Sequence, residues 1–564
     1  MSERLLLPKK LYGREPARSR LLHALDEADR GRARRVLLAG DAGVGKTALV
    51  AELAEPVIAR GGLLLTCQAE VQQQMPYTAV ISLLEAFIRQ LLVLEPAQMQ
   101  AWQAKLAHAL AGHVDRLCKH LPLLGTFLEA PYAAPAETAD PQQSLHLALQ
   151  TCFTTIAAAA RPLILFVDDA HTADADSLRL LNDLVKNSRL RLLILWAYRP
   201  EPPPAYLQAY VDAAPADDRL VLQPLAPSET RAFLVDALCT TPDACARLAE
   251  VIHVRTRGNP FLLHEVLRLL HDQALIHFDP QHRAWRWDLA QIRAAPLADN
   301  VVDLLHDRLQ QLPAPAQRTL KVAALLGSSF ALDLLAAACA QTPAETMQAV
   351  QQALALGAVA PLAEKNLFPL PQLAHPTDSR AAAMQQLSAR YMTPRPADRR
   401  QAAQPATVTH PESAVLPAPD ARLYRFAHEQ VRTAARRLQP DLPEAAIHRQ
   451  IGRRLLHSLP PEQRQRHAFL IVGHLNQDAA GQADWAGRTD AAQLNLSAGR
   501  DALALVAYES ALSLALCGID WLGMDGGWQT APVLMRELHL TAAQAATRLG
   551  RFEQAVRLLD TTEM

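Results

Sequence analysis

The sequence lacks an excess of charge of either sign. Its 56 lysines and arginines almost cancel its 57 aspartates and glutamates over 564 residues. A nearly neutral chain has no long-range attraction that would drive non-specific binding to nucleic acid or to anionic lipid. We therefore expect no membrane contact, and the neutral net charge disfavours a DNA-binding function.

Long hydrophobic runs and paired cysteines are missing as well. No apolar run is long enough to cross a bilayer, and residues 1–10 lack the apolar core and cleavage site of a signal peptide. The seven cysteines are scattered and include no CxxC pair, so neither a disulfide framework nor a zinc site is predicted. We expect a cytoplasmic protein.

The first part of the chain alternates short apolar strands with amphipathic helices. Strand-like runs occur at 35–40, 63–67, 163–167 and 192–197, and helical patterns separate them at 46–59, 79–92 and 144–160. This alternation predicts an α/β domain, a parallel sheet with helices on both faces, over residues 10–225. At 564 residues the chain has room for further domains.

The remaining residues are mainly helical in pattern. Residues 226–298 predict a helical lid domain that ends in a β-hairpin, and residues 299–440 predict a winged-helix domain. Within the latter, an insertion near 376–420 is rich in Ala, Pro, Gln and Arg and is predicted to be disordered. Residues 441–564 predict a tetratricopeptide-like helical region. Two similar segments, 498–503 and 549–555, support it, although ordinary helix packing explains them as well.

One segment carries a phosphate-binding signature. Between a predicted strand and a predicted helix, the pattern GxxxxGK[ST] is matched by Gly40, Asp41, Ala42, Gly43, Val44, Gly45, Lys46 and Thr47. The backbone amides of such a loop and the positive end of the following helix bind phosphates. Lys46 is expected to bridge the terminal phosphates of ATP or ADP, and the Thr47 hydroxyl to bind Mg²⁺. The motif in this context predicts that the fold class is a P-loop NTPase domain. A chance strand–turn–helix junction is the alternative.

A second strand ends in two acids. The run at 163–167 leads into Asp168, predicted to bind Mg²⁺, and Asp169, predicted to orient or deprotonate an attacking water. The two acids could instead cap the next helix. Arg199, after the following strand, is predicted to reach the terminal phosphate and to distinguish ATP from ADP, with a surface arginine as the alternative. His171 is expected to pack or hydrogen-bond rather than to act as a base.

With these motifs the chain resembles the signal-transduction ATPases with numerous domains, the STAND class. Within that class it resembles the ATPase segment of bacterial hybrids of serine/threonine kinases and sensor histidine kinases. The resemblance covers nearly the whole chain and is carried by YGRE at 12–15, the loop at 40–47, VDDAH at 167–171, AYR at 197–199, GNPF at 258–261 and FAHE at 426–429.

The resemblance implies further nucleotide contacts. Gly13 and Arg14 would lie near the adenine, and Pro260 would pack on the base or the ribose. His428 would contact the β-phosphate of ADP in a closed state, and a core histidine beneath the wing is its alternative. There are two departures from the class. Thr172 stands where it commonly has tryptophan, and the insertion comes just before His428.

The resulting hypothesis is a signalling switch that binds ATP and hydrolyses it slowly. ADP would keep the domains closed, and ATP would open them for self-association or for protein partners at the C-terminal helices. Kinase or sensor components are the implied partners, and nucleic acid is not expected. The alternatives are an AAA+ or origin-recognition-like remodelling ATPase, the ATPase part of a LuxR-type transcription regulator, and a scaffold that binds nucleotide structurally.

Overall fold

A computed structural model describes most of the chain, namely residues 5, 7–8, 10–69, 77–92, 94–114, 117–118, 121–128, 141–159, 161–186, 190–200, 203–294, 301–361, 423–439, 443–477, 485–504 and 507–563. The insertion predicted near 376–420 lies outside these residues. Among the helices that are described, none is both long and apolar enough to cross a membrane.

Five strands form the sheet of the N-terminal domain: β1 (Arg34–Ala39), β2 (Leu63–Gln68), β3 (Leu163–Asp168), β4 (Leu192–Tyr198) and β5 (Arg219–Val221). They are parallel and lie in the order β2-β3-β4-β1-β5, which confirms the predicted parallel sheet. The sequence did not predict β5, because a strand of three residues is too short to show a periodic pattern.

The helices of this domain are α1 (Glu15–Asp29), α2 (Lys46–Ala51), α3 (Ala54–Ala59), α4 (Thr78–Leu91), α5 (Pro96–Ala109), α6 (Pro122–Leu128), α7 (Pro141–Ala159), α8 (Ala175–Lys186) and α9 (Ala205–Asp212). The single helix predicted at 46–59 is wrong, since a turn at Glu52 and Leu53 separates α2 from α3. Pro56 explains the break: it has no N–H to donate to the carbonyl of Glu52, and its ring would collide with that carbonyl in a continuous helix.

Both faces of the sheet are buried. On one face Leu38 and Phe166 pack in a core with residues of α1 and α2, and on the other Leu37 and Trp196 pack with residues of α4 and α7. Burial on both sides explains why these strands are continuous apolar runs rather than alternating ones. Because the strands are parallel, the residues that follow them meet at one edge of the sheet.

Residues 227–294 form helices and a β-hairpin, and we call them the lid after the domain predicted from the sequence. The elements are α10 (Pro227–Leu238), α11 (Pro242–Thr256), α12 (Pro260–Asp272), β6 (Ile276–Asp279), β7 (Ala284–Trp287) and α13 (Leu289–Ala294). β6 and β7 are antiparallel, with Phe278 opposite Trp285. The Asp279 carboxylate accepts hydrogen bonds from the N–H groups of Gln281 and His282, which closes the hairpin turn.

The next region combines helices with a small antiparallel sheet of three strands. Its elements are α14 (Val301–Gln310), α15 (Ala314–Leu326), β8 (Ser329–Ala331), α16 (Leu332–Cys339), α17 (Pro343–Ala355), β9 (Val359–Pro361), β10 (Leu423–Phe426) and α18 (Glu429–Arg436). β10 is the central strand, and Tyr424 pairs with both Phe330 and Pro361. The sheet therefore fixes the residues that follow β10, among them His428. We call residues 301–361 and 423–439 the winged-helix region, after the domain predicted for them from the sequence.

The C-terminal region is a succession of packed helices: α19 (Glu444–Ser458), α20 (Pro461–Arg466), α21 (Ala468–Leu475), α22 (Trp485–Ala504), α23 (Tyr508–Leu522), α24 (Met524–Thr530), α25 (Pro532–Arg548) and α26 (Phe552–Glu563). Buried alanines such as Ala498, Ala511 and Ala542 line the helix contacts. The two similar sequence segments are not structurally equivalent. Residues 498–503 lie inside α22, whereas 549–555 span the turn from α25 to α26.

Two buried histidines face each other in this region. His448 on α19 and His474 on α21 are 7% and 3% exposed, and their Nδ1 atoms are 2.7 Å apart. One Nδ1 must donate and the other accept, so neutral rings here have opposite tautomers. Burial lowers the pKa of both rings, that of His474 to about 3.

We expect this pair to make stability depend on pH. Unfolding restores a pKa near 6.5, so below that pH the unfolded chain binds more protons, and stability falls as the pH decreases. When the pH is lowered from about 7.5 to about 5.5, the unfolding free energy of the native chain should fall. In the double variant His448→Leu/His474→Leu this fall should be smaller by roughly 1–3 kcal/mol. Urea unfolding at the two pH values measures this difference.

The exposed His457 of α19 provides the control for this measurement. The variant His457→Leu should keep the pH dependence of the native chain. An equal loss of stability in the native chain and the double variant would contradict the role given to the buried pair.

Candidate functional site

The site begins where β1 ends. Residues 40–47 connect β1 to α2, and Gly43 and Gly45 have φ angles of +78° and +101°, a region that L side chains rarely adopt. A Cβ at Gly45 would meet nothing within 4 Å, so the space beside it is open. The loop has the backbone freedom that phosphate binding at a helix N-terminus requires.

Lys46 is held inside this loop. Its Nζ donates to the carbonyl oxygens of Gly40 at 2.7 Å and Asp41 at 3.1 Å. Burial lowers the pKa of Lys46, and the nearby charges of Asp168 and Asp169 oppose that shift. Only 7% of the residue is exposed, so the ammonium is placed beside the loop and partly desolvated. In that position it can attract a phosphate strongly.

Thr47 and Asp168 are in direct contact. Thr47 Oγ1 donates to Asp168 Oδ2 at 2.6 Å, and the N–H of Asp169 donates to Asp168 Oδ1 at 3.0 Å. Burial, followed by the charge of Asp169, raises the pKa of Asp168. A hydroxyl and a carboxylate are the oxygen ligands that Mg²⁺ prefers, and a divalent cation would offset the repulsion between the acids. The residues present therefore fit Mg²⁺.

The helix that follows the two acids is capped by a different residue, so the helix-capping alternative does not apply to Asp168 and Asp169. Asp174 accepts from the N–H and the hydroxyl of Ser177 and so caps α8. The same carboxylate accepts from the N–H groups of Tyr77 and Thr78 at the start of α4. Asp168 and Asp169 are thus left at the sheet edge, facing the loop.

Asp169 lies between groups from two neighbouring strands. Because β4 lies between β1 and β3, Arg199 comes between the loop and the acids, with its Nε 3.8 Å from Asp169 Oδ1. Gln68, the last residue of β2, donates from Nε2 to Asp169 Oδ2 at 3.1 Å. His171 Nδ1 is 4.0 Å from Asp169 Oδ1. Sequence reasoning missed Gln68, since its only signal was its position at a strand end.

The lid contacts the loop through the first turn of α12. Asn259 Nδ2 donates to the carbonyl of Ala42 at 2.9 Å, and the N–H of Phe261 donates to the carbonyl of Gly43 at 3.3 Å. A Cβ on Gly43 would come within 2.9 Å of both Asn259 and Phe261. Pro260 begins α12 between these two residues. The GNPF motif thus joins the lid to the phosphate loop, and the role of Asn259 was not predicted.

The residues before α1 pack on the other side of the loop. Arg14 Nη2 donates to the carbonyl of Val44 at 3.0 Å, and burial lowers the pKa of Arg14 while Glu229 opposes the shift. Gly13 has φ +64°, and a Cβ there would lie 1.8 Å from the carboxylate of Glu229. Gly13 and Arg14 therefore lie between the loop and α10. Glu229 was not among the predicted residues.

His428 approaches the site from the winged-helix region. Its ring stacks on Phe261, with ring centres 4.1 Å apart and planes at 22°. Its Nδ1 accepts from the N–H of Gln430 at 3.2 Å, which caps α18. Partial burial lowers the pKa of His428 to about 4 despite the charge of Asp169. The ring is therefore neutral near pH 7, and with Nδ1 accepting, its proton lies on Nε2.

The charge on Asp168 should destabilise the site when no cation is bound. The variant Asp168→Asn keeps the shape and removes the charge, so without Mg²⁺ the first unfolding transition should rise by about 2 °C. The additional stabilisation by Mg²⁺ with ADP should disappear. Scanning calorimetry with and without these ligands measures both effects.

The surface variant Asp183→Asn is the control, because Asp183 pairs with the exposed Lys186 on α8. It should not raise the transition, and Mg²⁺ with ADP should stabilise it as they do the native chain. A fall in the transition temperature of Asp168→Asn would contradict the account of the acid pair.

Comparison with known families matches the first third of the chain. Residues 10–196 match the family model described as the AAA ATPase domain. This range contains the phosphate loop, the two acids and the whole of β2 and β3.

Two longer proteins are similar to a larger part of the chain. The hybrid signal transduction histidine kinase G of Dictyostelium discoideum is 22% identical over 408 residues, which cover 61% of this chain and 12% of that protein. The peroxide stress-activated histidine kinase mak3 of Schizosaccharomyces pombe is 22% identical over 376 residues, covering 57% of this chain and 16% of that protein. The chain thus spans less than one fifth of the length of these relatives.

Among solved structures, a STAND protein with a tetratricopeptide repeat sensor from Pyrococcus horikoshii aligns with 100% of this chain and 65% of its own, at 13% identity and a TM-score of 0.39. That superposition is too loose to bear on function. The match at 10–196 and the similarity to hybrid histidine kinases confirm the resemblance found in the motifs. Residues 10–196 carry the match to the AAA ATPase domain family, and the chain as a whole resembles the STAND-class P-loop ATPases.

Proposed function

We propose that the chain is a signalling switch that ADP keeps closed and ATP opens, with slow hydrolysis as the return step. The observation that supports it is one continuous stack of three regions at the phosphate loop. The Gly43 backbone contacts Phe261 of the lid, and the Phe261 ring stacks on His428 of the winged-helix region. A nucleotide that changes the loop therefore acts on both regions.

Nucleotide binding is assigned to the loop and the residues around it. The residues at 40–47 hold the phosphates, Gly13 and Arg14 lie on the adenine side, and Pro260 packs on the base or ribose. The neutral His428 donates from Nε2 to the β-phosphate of ADP, which ties the winged-helix region to the bound product. Such a hydrogen bond to a charged acceptor is typically worth about 1.5–3 kcal/mol.

Hydrolysis is assigned to the residues at the sheet edge. When bound through Thr47 and Asp168, Mg²⁺ would neutralise charge on the phosphates. Asp169 orients or deprotonates the attacking water, Lys46 stabilises the terminal phosphate, and Arg199 senses its presence. In the structure Asp169 accepts from Gln68 and faces Arg199. These contacts leave acceptor sites on both carboxylate oxygens, so Asp169 can still hold a water.

The energy needed for such a switch is modest. Moving a two-state equilibrium from about 1:99 to 99:1 takes roughly 5.5 kcal/mol of differential nucleotide binding. The contacts of Arg199 with a γ-phosphate and of His428 with the β-phosphate of ADP favour opposite states. A few such contacts, together with rearrangement of the lid, are enough.

Protein partners are assigned to the C-terminal helices. On α26 the side chains of Phe552, Val556 and Leu559 follow one face at helical spacing and are 65%, 55% and 41% exposed. An apolar stripe of this kind on the last described helix favours contact with another protein, or with a second copy of the chain in the ATP state.

The variant Lys46→Ala should abolish ATP binding. It removes a charge-assisted contact to two phosphates, so the affinity for a fluorescent ATP analogue should fall by about 100-fold or more. Fluorescence titration measures the affinity, and circular dichroism checks the fold. Lys186→Ala, which removes an exposed lysine of the same domain, is the control and should bind normally. If Lys46→Ala bound ATP as tightly as the native chain, the assignment of the loop to the ATP site would be wrong.

The variant His428→Ala should weaken the closed state. We expect ADP release to be about 10–100-fold faster, because one hydrogen bond to the β-phosphate is lost. Stopped-flow release of a fluorescent ADP analogue measures the rate. His277→Ala, at an exposed position on β6, should release ADP at the native rate. Native release by His428→Ala would exclude its contact with ADP.

Size-exclusion chromatography with light scattering tests the switch as a whole. The native chain should change mass or shape between ADP and a non-hydrolysable ATP analogue, and its steady-state hydrolysis should be slow. A particle that stays unchanged while it hydrolyses ATP rapidly would favour a remodelling ATPase. Stimulation of hydrolysis by DNA would favour an origin-recognition-like function.

A further inference from the structure

A cavity of about 200 Å³ lies where the lid meets the winged-helix region. Its lining comes from α12, α14, the turn before β9 and the start of α18. Phe261 and His428, the stacked pair of the nucleotide site, both line it. The cavity is therefore assembled from two regions, and it shares a wall with the contact that we assign to the closed state.

The polar part of the lining carries a net positive charge. Glu265 on α12 is 6% exposed and accepts from Arg268 Nη1 at 2.8 Å and from Arg308 Nη1 at 2.9 Å. Two guanidinium groups thus share one carboxylate, which leaves one positive charge. Each guanidinium has five N–H donors, so donors remain for an occupant. Arg308 is on α14 and Glu265 on α12, and their ion pair links the two regions.

The rest of the lining is largely apolar. Leu305 and Leu309 of α14, Leu356 before β9, and Val431 of α18 contribute its aliphatic surface. Ligand sites usually combine such walls with a few polar groups that fix orientation. A cationic ligand would be repelled by the arginines, and a fully polar ligand would make no apolar contact with the leucines. An anion with a compact apolar body matches both parts.

We propose that this cavity binds a small monocarboxylate with an apolar body, and that the occupant holds the lid against the winged-helix region. Its carboxylate pairs with Arg308 and Arg268, and its body packs on the leucines and Val431. An occupant that contacts both regions binds only while they are together, so it stabilises that arrangement in proportion to its occupancy. This second part rests on the proposed switch, whereas binding itself does not.

Benzoate serves as the probe, with benzamidine and benzyl alcohol as ring compounds of similar size that are cationic and neutral. Calorimetric titration of the native chain should show binding of benzoate at least tenfold tighter than of either control compound. Arg308→Met should weaken benzoate at least tenfold. Arg437→Met is the matched control, because Arg437 is exposed, pairs with Asp303 and does not line the cavity. It should bind benzoate normally.

A second variant blocks the cavity without removing an arginine from the ion pairs. Val431→Phe fills the cavity from α18 and leaves the contacts of Glu265 with both arginines intact, and it should also lose benzoate. Failure of the native chain to bind benzoate, equal binding of benzamidine, or native binding by Val431→Phe would each overturn the proposed site.

ADP release tests the coupling. Saturating benzoate should slow release of a fluorescent ADP analogue from the native chain at least threefold and should have no effect on Val431→Phe. Bound benzoate with an unchanged release rate would overturn the coupling. If the chain bound no ADP at all, the proposed switch would fail, and the calorimetric comparison would still decide whether the cavity is a carboxylate site.

Discussion

The close approach of the Gly43 backbone to the lid is the contact on which the rest of the site depends. A methyl group at Gly43 would come within 2.9 Å of Asn259 and Phe261, so only glycine lets the lid donate hydrogen bonds to the loop. Phe261 then stacks on His428, and the winged-helix region is drawn to the same place. Three regions far apart in sequence therefore meet at one loop, and the missing side chain of Gly43 leaves room for that contact.

Charges that the protein only partly compensates account for the chemistry that we assign to the sheet edge. Burial lowers the pKa of Lys46 and raises the pKa of Asp168. Arg199 lies opposite Asp169. Each charge is therefore only partly compensated by the protein. Such a site is less stable than an apolar one, and it is stabilised when phosphate and a divalent cation bind.

Much of the fold and of the site could be predicted from local sequence. The phosphate loop, the acids after β3 and Arg199 after β4 depend on short patterns, and burial on both faces makes those strands continuous apolar runs. Predictions failed where local pattern is weak. β5 has only three residues, a single proline breaks an otherwise helical run at 46–59, and the similar segments at 498–503 and 549–555 have different structures.

The sequence by itself determined the phosphate-loop motif at 40–47, because backbone conformation and phosphate chemistry limit which residues can stand at each position. Only the tertiary structure decided that Gln68 reaches Asp169, that Glu229 lies over Gly13, and that Glu265 joins Arg268 to Arg308. These contacts depend on strand order and on helix packing between distant segments. No spacing along the chain encodes them, since they follow from how the separate cores assemble.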